Sequence, residues 1–166
     1  MAIVKSVLSN VGRGMLIEWA LVASVVSVAV AAGEREMRVL QGEAELSAIK
    51  TTLGALRTAF IIDHLHRMVQ GRAEPLPVPS GNPFALLERR PPNYFGEVTQ
   101  MQTGAAPPGS WVFDADCVCV GYLPLYPEWL VSRSGDEMLW FRTLGPSEPL
   151  QLKAMDAYAW QGKVLD

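Results

Sequence analysis

Between Met15 and Ala32 the chain reads MLIEWALVASVVSVAVAA, a run interrupted by one charge, Glu18. As a helix rising about 1.5 Å per residue this run reaches roughly 27 Å, close to the thickness of a bilayer's hydrocarbon core. Its edges are sharp. MAIVKSVLSNVGRG precedes it, with Lys5 and Arg13, and Gly33-Glu34-Arg35-Glu36 follows it. Basic residues on the N-terminal side favour that end in the cytoplasm, so the residues beyond the run are expected across the membrane.

The remainder of the 166 residues is enough for one domain of ordinary size. Apolar residues make up 49% and charged residues only 19%, and the mean hydropathy is +0.16. Such values are unusual for a soluble domain unless the apolar residues are concentrated, and here they are. The formal charge is −3 and the basic residues are scattered. No patch suits a phosphate backbone, so nucleic acid is not an expected partner.

Three readings of the apolar run compete. A cleaved secretory signal would use Ala29-Val30-Ala31 as its small-residue processing site. Against it stands Glu18, because a carboxylate at mid-helix costs about 2.5 to 3.5 kcal/mol on insertion, falling toward the ends. An uncleaved signal anchor tolerates Glu18 near the cytoplasmic face without giving a reason for it. The third reading gives one.

Arg13-Gly14-Met15-Leu16-Ile17-Glu18 at the head of an apolar helix resembles the class III signal of bacterial type IV prepilins and type II secretion pseudopilins. The resemblance implies a leader of residues 1–14, cleavage by prepilin peptidase between Gly14 and Met15, and a transmembrane and assembly helix over 15–32. The family usually has a glutamate at the fifth mature position, whereas Glu18 would be the fourth. In the family that carboxylate neutralises the α-amino group of a neighbouring subunit in the filament core. Because an unpaired buried charge is costly, the pair would set the subunits' register. One residue's shift turns the carboxylate by about 100° around the helix. Glu18 would then either still reach a partner amine or mark a minor subunit, and a carboxylate snorkelling to the interface is the plainer alternative.

Beyond the run, Val39, Gly42, Leu46, Ile49, Leu53, Leu56 and Phe60 recur at spacings of three and four, the pattern of an apolar helical stripe. Glu34, Arg35, Glu43, Glu45, Lys50 and Arg57 fall mostly off it, and the first proline is Pro75. The helix is therefore predicted to continue over 33–70 as a periplasmic extension, with Gly71 as its stop.

Residues 71–94 form a proline-rich connection: six of the twelve prolines lie at 75, 77, 79, 83, 91 and 92. Its position matches the family's variable αβ-loop. Asn82-Pro83-Phe84-Ala85-Leu86-Leu87, Pro91-Pro92-Asn93-Tyr94 and Pro107-Pro108-Gly109-Ser110-Trp111-Val112-Phe113-Asp114, leading to Val118-Cys119-Val120-Gly121-Tyr122, are similar to motifs of proteobacterial pseudopilin-like proteins. From 95 to 166 short runs rich in valine and aromatics predict an antiparallel sheet: 95–101, 110–114, 117–122, 128–132 and 138–143. A last strand or helix is expected within 150–164. In the second run Trp111 and Phe113 share one face and are expected to fill the core over the helix. The expected class is α+β, a long N-terminal helix packed on a small antiparallel sheet, as in pilins.

Little in the sequence points to chemistry. His64 and His66 lie two apart, about 200° around a helix, and cannot share a metal ion. No phosphate loop, nucleophile elbow or zinc motif is present, so neither an enzyme nor a cofactor is expected. Asp114-Ala115-Asp116 supplies too few oxygens for calcium, which wants about six to eight, and reads better as a turn. Cys117 and Cys119, on a strand, would have Cα atoms about 6.5 to 7 Å apart, at or beyond bridging distance. They read first as small buried apolar residues, with a disulfide or a metal site as alternatives.

The expectation is therefore a minor structural subunit of a type II secretion pseudopilus or type IV pilus. Prepilin peptidase, an inner-membrane assembly platform and other pilin or pseudopilin subunits would be its partners, and removal of residues 1–14 would move the formal charge from −3 to −5. The rival expectation is a signal-anchored periplasmic binding or scaffold domain. A freely soluble periplasmic protein beginning near Ala32 is a third.

Overall fold

The computed structural model describes residues 2–70, 81–99, 104, 106–144 and 151–165, with side chains from Met15 onward except Leu16. The chain forms two compact units, residues 1–43 and 44–166. One helix, α1 (Ala2–Val69), contributes to both. Its predicted end near residue 70 agrees with the structure; Gly71 lies outside the described residues.

Over residues 17–32 of the first unit α1 is apolar on nearly every side. Ile17, Trp19, Leu21, Val22, Val25, Val26, Val28 and Val30 are each more than half exposed. At 100° per residue these positions encircle the helix, whereas a helix covered by its own domain has a single apolar stripe. The hydroxyls of Ser24 and Ser27 donate to the carbonyls of Ala20 and Ala23, one turn back. These two hydroxyls are thus satisfied within the helix itself.

In the second unit the stripe is covered. Ile49, Leu53, Leu56 and Phe60 are buried, and Leu46 packs partly buried beside them. Val39, from the same predicted stripe, is exposed in the first unit. The cover is a five-stranded sheet of β1 (Tyr94–Val98), β2 (Ser110–Asp114), β3 (Cys119–Leu123), β5 (Leu139–Leu144) and β6 (Gln151–Ala154), side by side in that order. A second sheet joins β4 (Leu130–Ser132), β7 (Tyr158–Trp160) and β8 (Lys163–Val164). The expected single antiparallel sheet is corrected here: the described residues form two sheets, and β1 pairs parallel to β2. A parallel pair needs a crossover connection, and here it is the stretch between Val98 and Ser110. The undecided C-terminal segment is strand, β6 to β8.

Trp111 and Phe113 point toward α1, joining Leu56, Phe60, Phe84, Val120, Tyr122 and Phe141 in one core. Burying such side chains stabilises a fold by about 1.5 to 3 kcal/mol each. On the sheet's other face Val112, Cys119, Met138 and Trp140 form a smaller cluster. Gly121 is required there: a Cβ would lie 2.6 Å from the Trp140 ring and 2.8 Å from Val112. Gly109, at φ +77°, makes the predicted turn into β2, its N–H bonded to the Leu123 carbonyl at 2.8 Å. Within the proline-rich connection, residues 71–80 lie outside the described ones. Asn82 caps a 3-10 turn, Pro83–Leu86, by accepting from the Phe84 N–H, while its amide donates to the Tyr94 hydroxyl and to Glu97.

Candidate functional site

The feature with the largest unmet physical demand is the apolar first unit. Among the described residues one helix is long and apolar enough to cross a membrane, and it lies near the N-terminus. It is compatible with a single-pass anchor. Gly14 and Met15 are consecutive within α1, and Met15 is exposed. Glu18 is exposed on the same helix, with no hydrogen bond or ion pair to any described residue. Its neighbours Ile17 and Trp19 are apolar and exposed, so a carboxylate with no partner among the described residues sits in an exposed apolar stretch.

In the second unit Glu45 docks the helix on the sheet. Its Oε1 accepts from the Tyr122 hydroxyl at 2.8 Å and from the Leu125 N–H at 2.9 Å. Burial holds the Tyr122 phenol far above the usual range, and donation to the Glu45 carboxylate adds to the rise, since both favour the neutral form. Tyr158 is raised by burial as well, its hydroxyl lodged against the Trp140 backbone. Glu45 was legible only as a polar residue off the stripe; its docking role needs a partner 77 positions away.

Between α1 and the free edge formed by β6 lies a groove of about 830 Å³. Ile49, Leu53, Phe141, Leu152 and Leu165 give it an apolar floor, and Lys50, Arg57 and Arg133 stand at its rim. None of these three cations is ion-paired to a described residue. The rim's one acid, Asp156, accepts from the Ser134 N–H and hydroxyl and from the Ala157 N–H, and these bonds hold its carboxyl below the usual range. No pattern along the chain marks this groove, because its walls come from five separate segments.

The turn between β2 and β3 places the remaining predicted residues. The Asp114 carboxylate accepts from the Asp116 N–H at 2.8 Å, the turn role expected of that pair. Cys117 and Cys119 do not share a strand: Cys117 lies in the turn, Cys119 opens β3, and the two form a disulfide. Val118 between them adopts φ +53°, which shortens their Cα separation to 5.2 Å. That correction comes from one backbone angle, rare for a β-branched residue, which an extended strand does not contain. His64 and His66 both lie on α1. Among the described residues no three His, Cys, Asp or Glu gather as a metal site.

No protein-family model, curated protein or solved structure matches this chain.

Proposed function

We propose that the chain is a minor subunit of a type IV pilin or pseudopilin filament, assembled through its N-terminal helix. One observation carries the reading: an apolar helix exposed on every side, holding one carboxylate without a partner among the described residues, directly follows a basic leader ending in glycine. In the inner membrane, lipid covers that helix; in a filament, neighbouring copies of it do. Both surroundings meet the same demand, so a subunit can pass from one to the other without exposing the helix to water. On this reading Lys5 and Arg13 hold the leader in the cytoplasm and prepilin peptidase cuts between Gly14 and Met15. Glu18 pairs with the new α-amino group of an adjacent subunit, and the second unit faces the periplasm or the exterior.

Intact mass and N-terminal sequencing of the membrane-extracted protein test the reading. A chain beginning at Met15, with or without a methylated amine, supports it, and Gly14→Leu should then block processing. A chain beginning at Met1 and indifferent to Gly14→Leu overturns it.

The groove favours a second reading, a signal-anchored periplasmic binding domain. Its volume falls within the range of about 300 to 1,000 Å³ usual for ligand pockets. An apolar floor ringed by Lys50, Arg57 and Arg133 suits a long-chain carboxylate, with the alkyl body on the floor and the anion at the rim. This reading needs no cleavage at Gly14, so the same mass measurement separates the two.

A further inference from the structure

Three sulfur atoms converge on the face of the five-stranded sheet turned away from α1. Cys117 and Cys119 are bridged at the start of β3, and the Met155 thioether lies 3.5 Å from the Cys119 Sγ. Met155 follows β6 directly and is fixed there by its N–H bond to the Trp140 carbonyl at 2.9 Å. The fold has brought together donors that are 36 residues apart.

We propose that the reduced chain binds one copper(I) ion through the Cys117 and Cys119 thiolates and the Met155 thioether. The donor set decides the metal: two thiolates and a thioether are soft ligands, which select copper(I) over calcium, magnesium or manganese. A structural zinc ion would want a fourth nitrogen or sulfur, and among the described residues no histidine or further acid joins the cluster. Metal–sulfur bonds of about 2.3 Å in a trigonal plane put neighbouring sulfurs roughly 4 Å apart, so the Cys119 and Met155 sulfurs have to open by only a few tenths of an ångström. Reduction supplies the rest of the space by breaking the Cys117–Cys119 bond.

The charge around the cluster bears on the ion as well. A copper(I) ion with two thiolates and a neutral thioether carries a net charge of minus one. Arg142 stands directly opposite Cys119 in the β3–β5 register, and Lys153 directly opposite Arg142 in the β5–β6 register. Directly paired residues in antiparallel strands share a face, so two like charges are set side by side next to the sulfurs. Like charges so placed weaken a sheet unless something anionic lies near them. Asp114, opposite Cys119 in the β2–β3 register, supplies one anion on that face, and the metal–dithiolate centre would add a second.

Accessibility fits an exchangeable ion. Cys119 is fully buried, Cys117 is half-buried and Met155 is 38% exposed, so the ion would enter by way of the thioether and finish shielded from water. The step balances as follows. Two equivalents of a thiol reductant convert the disulfide to two thiols and are themselves joined as a disulfide; copper(I) then displaces the two thiol protons, which pass to solvent. In an oxidising compartment, such as the periplasm where the proposed function places the second unit, the bridged form holds no thiolate and the site opens only on reduction.

The test uses the full chain in detergent, reduced and handled without oxygen, titrated with copper(I) against the colorimetric chelator bicinchoninate. The proposal expects one ion per reduced chain and none on the oxidised chain. Cys117→Ser or Cys119→Ser should abolish competition with the chelator. Met155→Leu keeps size and apolarity, and should weaken binding by about tenfold or more, since even outer partners of a ligand cost that much. X-ray absorption at the copper edge should count three sulfur neighbours. No binding by the reduced chain, binding unchanged in Met155→Leu, or a count of two sulfurs would each overturn the proposal. Circular dichroism of each variant, matched to the parent, keeps a folding defect from passing as lost binding.

Discussion

Two stretches of one helix, residues 15–32 and 46–60, both carry many apolar side chains, yet they solve different problems. In the second, Ile49, Leu53, Leu56 and Phe60 sit beneath Trp111, Phe113 and Tyr122, and charged residues such as Lys50 and Arg57 fall between them. In the first, apolar side chains occupy every direction and nothing in their own unit covers them. A stripe can be buried by a domain on one side; a helix apolar on all sides needs an apolar medium or several neighbours. The width of the apolar surface, more than its hydrophobicity, separates a helix that docks from one that inserts or assembles.

The contrast is open to direct attack. Leu56→Ala removes a fully buried side chain from the core and should lower the stability of the second unit by about 2 to 5 kcal/mol in chemical denaturation of the detergent-solubilised chain. Leu21→Ala, in the first stretch, should move the same transition by less than about 0.5 kcal/mol. Equal losses from the two substitutions would erase the distinction.

Gly121→Ala comes next in size. The new methyl would meet the Trp140 ring and Val112 within the outer cluster, and overpacking of this kind costs about 1 to 3 kcal/mol. Thermal unfolding would register it, and Gly121→Ala combined with Trp140→Leu should recover part of the loss.

The docking bond gives a smaller effect with a pH signature. Tyr122→Phe should cost about 1 to 2 kcal/mol, since it leaves the Glu45 carboxylate with one protein donor fewer. Because burial raises the folded-state phenol above its unfolded value of 10.0, the unfolded chain releases its proton first as pH rises. The stabilisation from Tyr122 is thus fully present below about pH 10 and declines above it. Melting temperatures followed into alkali should fall more steeply in the parent than in Tyr122→Phe.

The smallest effect runs the other way. Thr143 is buried with a hydroxyl that finds no hydrogen-bond partner among the described residues, so Thr143→Val should raise stability by up to about 1 kcal/mol, measured in the same denaturation experiment. A loss instead would show that the hydroxyl is solvated or bonded in solution.

Local pattern was enough to read the helix to near residue 70, the limits of β2, the turn at Gly109 and the facing of Trp111 and Phe113. Each depends on neighbours a few positions away: a three-four spacing, a glycine, an alternation. The same kind of signal singled out Gly14, Met15 and Glu18, whose role is a matter for the processing experiment. It failed at β1, read as antiparallel when it pairs parallel to β2, because strand direction depends on the path of a connection. It failed again at Cys117 and Cys119, where one positive φ at Val118 replaced an extended strand with a bridged turn.

By itself, then, the sequence determined that a fully apolar helix leads into an amphipathic one and that valine- and aromatic-rich strands follow, since periodicity and composition act over a few residues. Only the tertiary structure decided that Glu45 meets Tyr122, that Lys50, Arg57 and Arg133 ring one groove, and that Met155 lies against Cys119. Those juxtapositions join residues tens of positions apart, and they come from how the strands are ordered and registered once the core has closed, which no short window of sequence contains.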